Sequence, residues 1–147
     1  AILGELLDVA VPDSWPVFPE AFGYWRYLLA YDPAYIGWAN WIVTHRRDKI
    51  AIGECSFKGR PDSLGSVSLG YGIVPEYQRR GYGAEAVQAL VGWAFAQSPV
   101  SAIHAETLDG NRASIRILEK TGMSQMVAQD GRLHWQLRRE HFSPGGL

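Results

Sequence analysis

The sequence has little of what marks several classes of protein. Its single cysteine, Cys55, excludes a disulfide within the chain, which fits a reducing compartment. No apolar run approaches the roughly 20 residues of a membrane-spanning helix, and no secretory signal pattern is visible. The formal net charge of −1 gives no electrostatic case for nucleic acid or a membrane surface. The four histidines lack metal-ligand spacing. We expect a cytoplasmic protein with no metal, no nucleic-acid partner and no membrane association.

The length fits one domain with one core, spanning residues 1–147. The chain begins at Ala1 without a methionine, and we expect that a native N-terminal strand is missing. Tryptophans are numerous, six in all, and several lie in the first third. They either pack in the core or line a pocket for a bulky or apolar molecule.

Hydrophobic periodicity predicts a mixed α/β chain. Apolar residues at helical spacing predict helices over 2–9, 20–31 and 111–122, and another helix whose buried stripe is Val87, Leu90, Val91 and Ala94. Apolar runs with turn residues between them predict strands over 36–44, 49–57, 67–74, 102–108, 123–128 and 132–137. The tight turn at 45–48 and the Asp130-Gly131 turn predict antiparallel hairpins, whereas strand–helix–strand order predicts a parallel crossover.

The stretch "PEYQRRGYGAEA", residues 75–86, lies between a predicted strand and a predicted helix. The first amides of a helix have no intrahelical partners and carry partial positive charge, so this junction can bind an anion. Gly81 and Gly83 allow close approach of the backbone, and Arg79 and Arg80 add positive charge. The stretch predicts a site for a phosphate-like group, unless it is only a tight turn with solvated arginines.

The strand before this loop has one face that carries only serine and glycine. Val67, Leu69, Tyr71 and Ile73 alternate with Ser66, Ser68, Gly70 and Gly72. Glycine within a strand often marks the close approach of a ligand or another backbone. We expect an extended, amide-containing ligand to lie beside Gly70 and Gly72.

Two stretches resemble motifs of the GNAT superfamily of N-acetyltransferases. Gln78, Gly81 and Gly83 stand at the three defining positions of its Q/R-x-x-G-x-G/A acyl-CoA motif. "NRASIRILEKTGM" is similar to the second motif, an asparagine followed by a Gly-Phe pair at the helix end, although Met123 replaces the phenylalanine. Ribosomal-protein-alanine acetyltransferases are the subfamily that these stretches resemble most. The resemblance covers roughly residues 36–137.

The resemblance implies an α/β (α+β) fold with a mixed, mostly antiparallel central sheet, a parallel and splayed strand pair, and flanking helices. It also implies acetyl-CoA as the co-substrate. Coenzyme A would lie in the wedge between the two splayed strands, with its pyrophosphate on the loop amides from Arg79 to Ala84. A backbone N–H near Ile73 or Val74 would stabilise the oxyanion. The implied coenzyme-binding residues are Ile73, Val74, Gln78, Arg79, Arg80, Gly81, Tyr82, Gly83, Ala84, Asn111 and Ser114.

Acetyl transfer to an amine needs a proton acceptor, and Glu106 is the first candidate. It shares a strand face with His104 and precedes Asn111 by five positions, where related enzymes carry a catalytic glutamate. It is otherwise a structural glutamate. His104 and Glu54 are further candidates, and Glu54 could instead bind the ammonium group of the acceptor.

The leaving thiolate needs a proton, and the sequence departs from the resemblance here. Leu118 stands where many members carry a tyrosine, seven residues after the motif asparagine. Ser114 and Asn111, one helical turn apart on a shared face, are the remaining catalytic candidates here. Ser114 is the alternative donor to the sulfur, unless it only satisfies local backbone. Tyr71 either bonds across the substrate site or packs on the sheet.

The main prediction is an N-acetyltransferase that moves an acetyl group from acetyl-CoA to a primary amine by direct attack in a ternary complex. The alternative is a non-catalytic acyl-CoA-binding or sensor domain, which Leu118 favours and Glu106 and Ser114 oppose. Nucleotide binding is disfavoured because the loop lacks both the P-loop and the dinucleotide pattern. The acceptor, a small amine or a protein N-terminus, stays open. The oligomeric state also stays open, with a dimer as one option.

Overall fold

The computed structural model describes residues 2–144 of the chain. The helices are α1 (Ile2–Leu7), α2 (Phe22–Tyr31), α3 (Tyr82–Ala96) and α4 (Arg112–Thr121). The strands are β1 (Asn40–His45), β2 (Ile50–Phe57), β3 (Ser66–Ile73), β4 (Ala102–Leu108), β5 (Ser124–Gln129) and β6 (Arg132–Arg138). Short 3₁₀ turns precede α2, β1 and α3 and follow β6.

The six strands form one mixed sheet in the order β1-β2-β3-β4-β6-β5. β3 and β4 pair in parallel, and the other neighbours pair antiparallel. The parallel pair is connected through α3, since parallel neighbours need a crossover that a short turn cannot provide. The predicted fold class is therefore confirmed, as are the two hairpins β1–β2 and β5–β6.

The larger core lies between the sheet and helices α3 and α4. The predicted stripe of α3 is confirmed, because Val87, Leu90, Val91 and Ala94 are all buried. They pack against residues of the central strands, including Phe57. A second cluster on the N-terminal part of the chain holds Trp15 against β2. Trp15, Trp25, Trp38 and Trp135 are buried, so most tryptophans serve packing.

The N-terminal third differs from the sequence prediction at two places. The predicted strand over 36–44 begins only at Asn40. A 3₁₀ turn at Pro33–Tyr35 precedes it, and Gly37 has a left-handed φ of +89°, so the backbone turns there. The first helix ends at Leu7 and buries none of its residues. After it, Ala10 makes a β-bridge with Ile50, so the predicted helical pattern does not continue to residue 9.

None of the helices in the described part of the chain combines the length and hydrophobicity that crossing a membrane requires. Among residues 2–144, no group of three or more His, Cys, Asp or Glu side chains is arranged to hold a metal ion.

Candidate functional site

The parallel strands β3 and β4 separate part-way along their length. Their Cα pairing runs from Ser66 and Ala102 to Leu69 and Ala105. Beyond that point β3 stays paired with β2 as far as Ile73, and β4 stays paired with β6 as far as Leu108. The ends of the two strands therefore lack each other as partners, and a gap opens between them.

The N-terminus of α3 lies beside the end of β3, because a Cβ atom on Gly83 would stand 3.7 Å from Cγ1 of Ile73. Gly81 is the N-cap residue, with φ +86°, and it provides no side-chain cap. Arg79 also has a positive φ, +63°. Gln78 fixes the loop to the end of β3, because its side-chain amide donates to the carbonyl of Ile73 at 2.8 Å. The amides of the first helical turn thus stay free of side-chain capping.

Gly81 and Gly83 are each required to be glycine for a different structural reason. A Cβ atom at Gly81 would meet nothing within 4 Å, so the left-handed backbone is what requires glycine there. Gly83 is buried, and a Cβ atom on it would stand 2.8 Å from Cδ1 of Ile117. The absence of a side chain at Gly83 lets α3 pack close to α4, while its backbone N–H still belongs to the first helical turn.

The remaining loop residues place charge and aromatic rings around this helix end. The guanidinium of Arg80 lies 5.1 Å from the ring centroid of Tyr77. The hydroxyl of Tyr82 is 2.8 Å from Nε2 of His45, on the β1–β2 hairpin. Ala84 is buried against the core. His45 and Tyr77 were not identified from the sequence. The contact of His45 with Tyr82 forms because the β1–β2 hairpin lies beside the N-terminus of α3.

The predicted oxyanion donors differ in their availability. The Val74 N–H donates to the carbonyl of Ile52 at 2.8 Å, so it is already used within the sheet. Ile73 lies on the part of β3 that has separated from β4, opposite Gly53 of β2. Of the two predicted donors, Ile73 is thus the one whose N–H is not engaged by Ile52.

The glycine face of β3 is only partly open. A Cβ atom at Gly70 would find only Ser56 Oγ near it, at 3.4 Å. One at Gly72 would stand 2.6 Å from Cγ1 of Val17 and 2.9 Å from Cε2 of Phe18. The loop between α1 and α2 therefore covers Gly72, and a ligand arm has room along the gap rather than over this residue.

The first turn of α4 contributes the predicted asparagine and serine. Asn111 is the N-cap, and its side-chain oxygen accepts the N–H of Ser114 at 3.2 Å. The hydroxyl of Tyr71 on β3 donates to the carbonyl of Ser114 at 3.2 Å, so β3 and α4 meet here. Burial raises the pKa of the Tyr71 phenol, which keeps it protonated and able to donate. Leu118 is fully buried.

Glu106 and His104 lie on one face of β4, as predicted, but Glu106 points to solvent. Its side chain is 36% exposed, and its carboxylate lies 3.5 Å from the guanidinium of Arg132 on β6. Such an exposed pair contributes little to stability. His104 is half-buried and lies opposite Gln136.

Glu54 has the opposite environment. It is 1% exposed on β2, and its Oε1 atom accepts the N–H of Phe18 at 2.6 Å. Its other oxygen, Oε2, is buried with no hydrogen-bond partner among the described residues. Burial raises the pKa of this carboxyl, Glu20 raises it further, and the amides of Phe18 and Val17 act in the opposite direction. The sequence named Glu54 only as a lesser candidate, because its burial depends on a loop 36 residues away.

Comparison with known proteins decides the family. The family model for the acetyltransferase (GNAT) domain matches residues 13–124. The chain belongs to the GNAT acetyltransferase family. The family predicted from the loop and the α4 motif is thus confirmed.

Relatives and solved structures agree with this assignment. The chain is 32% identical over 124 residues to YjdG of Bacillus subtilis, described as an uncharacterized N-acetyltransferase, covering 83% of this chain and 74% of that protein. The ribosomal-protein-S5-alanine acetyltransferase of Vibrio fischeri superposes with a TM-score of 0.66 at 19% identity, covering 81% and 72% of the two chains. The spermidine N-acetyltransferase of Vibrio cholerae, solved with CoA and spermine, gives 0.66 at 13% identity, covering 79% and 74%.

The features of this GNAT chain fit an acyl-CoA molecule. The gap between β3 and β4 is open where the pairing ends, and free helix amides with a left-handed Gly81 stand at its end. An extended thioester arm suits the gap, and a pyrophosphate suits the helix N-terminus.

Proposed function

We propose that this GNAT protein transfers an acetyl group from acetyl-CoA to a primary amine in a ternary complex. The observation that supports it most is that the β3–β4 gap leads to the uncapped N-terminus of α3. The amides from Arg79 to Ala84 would bind the pyrophosphate, and the Ile73 N–H would stabilise the oxyanion. One such donor is worth roughly 3 kcal/mol in the transition state.

In the reaction, the ammonium group of the acceptor gives one proton to a carboxylate, and the lone pair of the neutral amine attacks the thioester carbonyl carbon. A C–N bond forms, the C–S bond breaks, and the nitrogen gives its second proton to solvent water. The thiolate leaves and takes up a proton. We assign this proton to the neutral phenol of Tyr71, whose hydroxyl must turn from the Ser114 carbonyl to the sulfur and is then reprotonated by solvent. Leu118 cannot serve, because it is buried in the core and has no hydroxyl.

The acceptor is a cationic amine in this proposal. Among the structural neighbours are a spermidine N-acetyltransferase and a ribosomal-protein-S5-alanine acetyltransferase, so both small amines and protein N-termini deserve testing.

Calorimetry with acetyl-CoA tests the coenzyme site. Arg79→Glu reverses a charge on the loop without changing the demand for a positive φ, whereas Arg26→Glu makes the same change on the exposed side of α2. We expect Arg79→Glu to weaken binding about tenfold or more, equal to about 1.4 kcal/mol, and Arg26→Glu to bind like the wild type. Equal affinity of the two variants would contradict the placement of the coenzyme.

Release of the free CoA thiol, measured with spermidine and with an alanine-initiated peptide, tests the transfer itself. Tight binding of acetyl-CoA without transfer to any amine would support the non-catalytic acyl-CoA-binding alternative. No binding of acetyl-CoA by the wild type would exclude both functions.

A further inference from the structure

The carboxylate of Glu54 is an unusual group to bury. One of its oxygens accepts a backbone N–H from Phe18, and the other makes no hydrogen bond among the described residues, although the nearby Val17 amide lowers the pKa of the carboxyl. Burial of an ionised oxygen without a hydrogen bond or a counter-charge costs free energy, so folded proteins rarely keep one without a use. A cation that approaches Oε2 would satisfy it.

The position of Glu54 on the sheet connects it to the β3–β4 gap. Its Cα partner on β3 is Gly72, and directly paired residues project to the same face of an antiparallel pair. Gly72 lies beyond the last β3–β4 pair, at the edge of the gap. Because Gly72 has no side chain, the side chains of Val17 and Phe18 lie directly above it.

We propose that Glu54 binds the ammonium group of the acceptor through Oε2 and takes its proton, after the side chains of Val17 and Phe18 move off Gly72. This inference rests on the acetyltransferase function proposed above and names the group that prepares its acceptor. The proton passes from the acceptor nitrogen to the Glu54 carboxylate, which leaves the neutral amine with its lone pair free to attack.

Glu54 suits this role better than Glu106. Glu106 is partly exposed and is paired with Arg132, whose positive charge opposes binding of a second cation. Glu54 forms no salt bridge with any basic residue among residues 2–144, and the titratable groups that interact with it are Glu20 of the neighbouring 3₁₀ turn and Cys55 on its own strand. Burial raises the pKa of Glu54, which brings it closer to the range that a general base needs.

The walls of this site limit the chemistry of the acceptor. Trp15 and Ile52 belong to the apolar cluster on this side of the sheet, and Val17 packs against it. Glu20 is close enough for its negative charge to raise the pKa of Glu54. The acceptor in this proposal is therefore an aliphatic amine, protonated when it arrives, rather than an anion or a neutral sugar.

Kinetics of Glu54→Gln give the first test, with saturating acetyl-CoA and spermidine or an alanine-initiated peptide as acceptor. We expect kcat to fall about 10²–10⁴-fold, the usual contribution of a general base. The acid limb of the wild-type pH profile should disappear, while acetyl-CoA affinity stays unchanged. Glu119→Gln, an exposed carboxamide substitution on α4, is the matched control and should match the wild type. A structural role alone would leave the pH profile of Glu54→Gln unchanged.

Comparison with Glu106→Gln tests which of the two carboxylates accepts the proton. The proposal requires that the loss in kcat in Glu54→Gln exceed that in Glu106→Gln by at least tenfold. A larger loss in Glu106→Gln would overturn it.

The Phe18 amide gives a readout that needs no turnover, because its N–H is bonded to the Glu54 carboxylate. In ¹⁵N-labelled wild-type protein saturated with CoA, we expect its resonance to shift with pH and on addition of spermidine or the peptide. Both shifts should be lost in Glu54→Gln. A Phe18 resonance that responds to neither amine would refute the role of Glu54. A wild type that shows the amine shift but no transfer would instead contradict the proposed function and support the cation site.

Discussion

Gly53 allows the close approach of β2 to β3 beside the candidate site, which makes Gly53→Ala a sharp test of the fold. A Cβ atom on Gly53 would overlap the carbonyl oxygen of Gly72 and stand 3.2 Å from its carbonyl carbon. It would also lie 2.8 Å from Cδ1 of Ile73. The Ile73 methyl group can rotate away, but the carbonyl is backbone and can retreat only if β3 shifts.

We expect Gly53→Ala to lower the free energy of unfolding by about 3 kcal/mol, the upper end for overpacking in a core. At this chain length, about 1 kcal/mol corresponds to roughly 2–4 °C in Tm, so the Tm should fall by roughly 6–12 °C. Gly23→Ala is the matched control. Gly23 lies inside α2 with nothing within 4 Å of a Cβ atom, so alanine should add about 0.5–1 kcal/mol.

Urea unfolding followed by tryptophan fluorescence measures both variants. Trp15 is a local reporter, because its indole N–H donates to the Gly53 carbonyl at 3.2 Å. A Gly53→Ala variant as stable as the wild type would refute the close approach of the two strands, and with it the position of Glu54 beside Gly72. If Gly23→Ala also lost stability, the loss in Gly53→Ala could not be assigned to the contact with Gly72.

Three further changes test other parts of the structure. Gly81→Ala should cost about 1–2 kcal/mol from its φ of +86° and should weaken acetyl-CoA binding in calorimetry; unchanged values would contradict the loop geometry. Tyr71→Phe removes the bond to Ser114, so it should cost about 1 kcal/mol in urea unfolding and lower kcat more than it raises KM. Burial raises the pKa of the Cys55 thiol from 9.0 to about 12. The unfolded chain therefore loses this proton at lower pH than the folded protein, and the free energy of unfolding should fall as pH rises from about 9 towards 12. Cys55→Ala should lack this part of the decline when unfolding is measured against pH.

The sequence predicted the part of the fold that depends on local signals. Asn111 caps α4 and Gly122 ends it with a φ of +95°, each at the predicted residue. The Asp130-Gly131 turn closes the last hairpin, with both residues at positive φ. These features could be predicted from a few neighbouring residues, because a helix cap or a tight turn requires a particular residue type at one position.

The segment before β1 could not be predicted in the same way. The run from Ile36 to Ala39 is apolar and reads as part of a strand, but Trp38 and Ala39 are buried while Gly37 turns the chain. A bulky side chain at Gly37 has no room, because Trp93 of α3 lies against it. That contact joins residues far apart in the sequence, which no local pattern records.

The difference between local signals and long-range contacts also explains why the sequence predicted the coenzyme side of the candidate site better than the acceptor side. The coenzyme side depends on consecutive residues, Gln78 to Gly83, that a strand and a helix hold in fixed order. The proposed acceptor side depends on Phe18, in the loop before α2, meeting Glu54 on β2, and an acidic residue in an apolar strand reveals neither its partner nor its burial. Since our proposal requires the loop over Gly72 to shift to admit an amine, it predicts that a change in this loop alters acceptor binding and leaves coenzyme binding intact. Substitutions at Val17 should therefore change KM for the amine and leave acetyl-CoA affinity unaltered, because the loop from Arg79 to Ala84 does not depend on that contact.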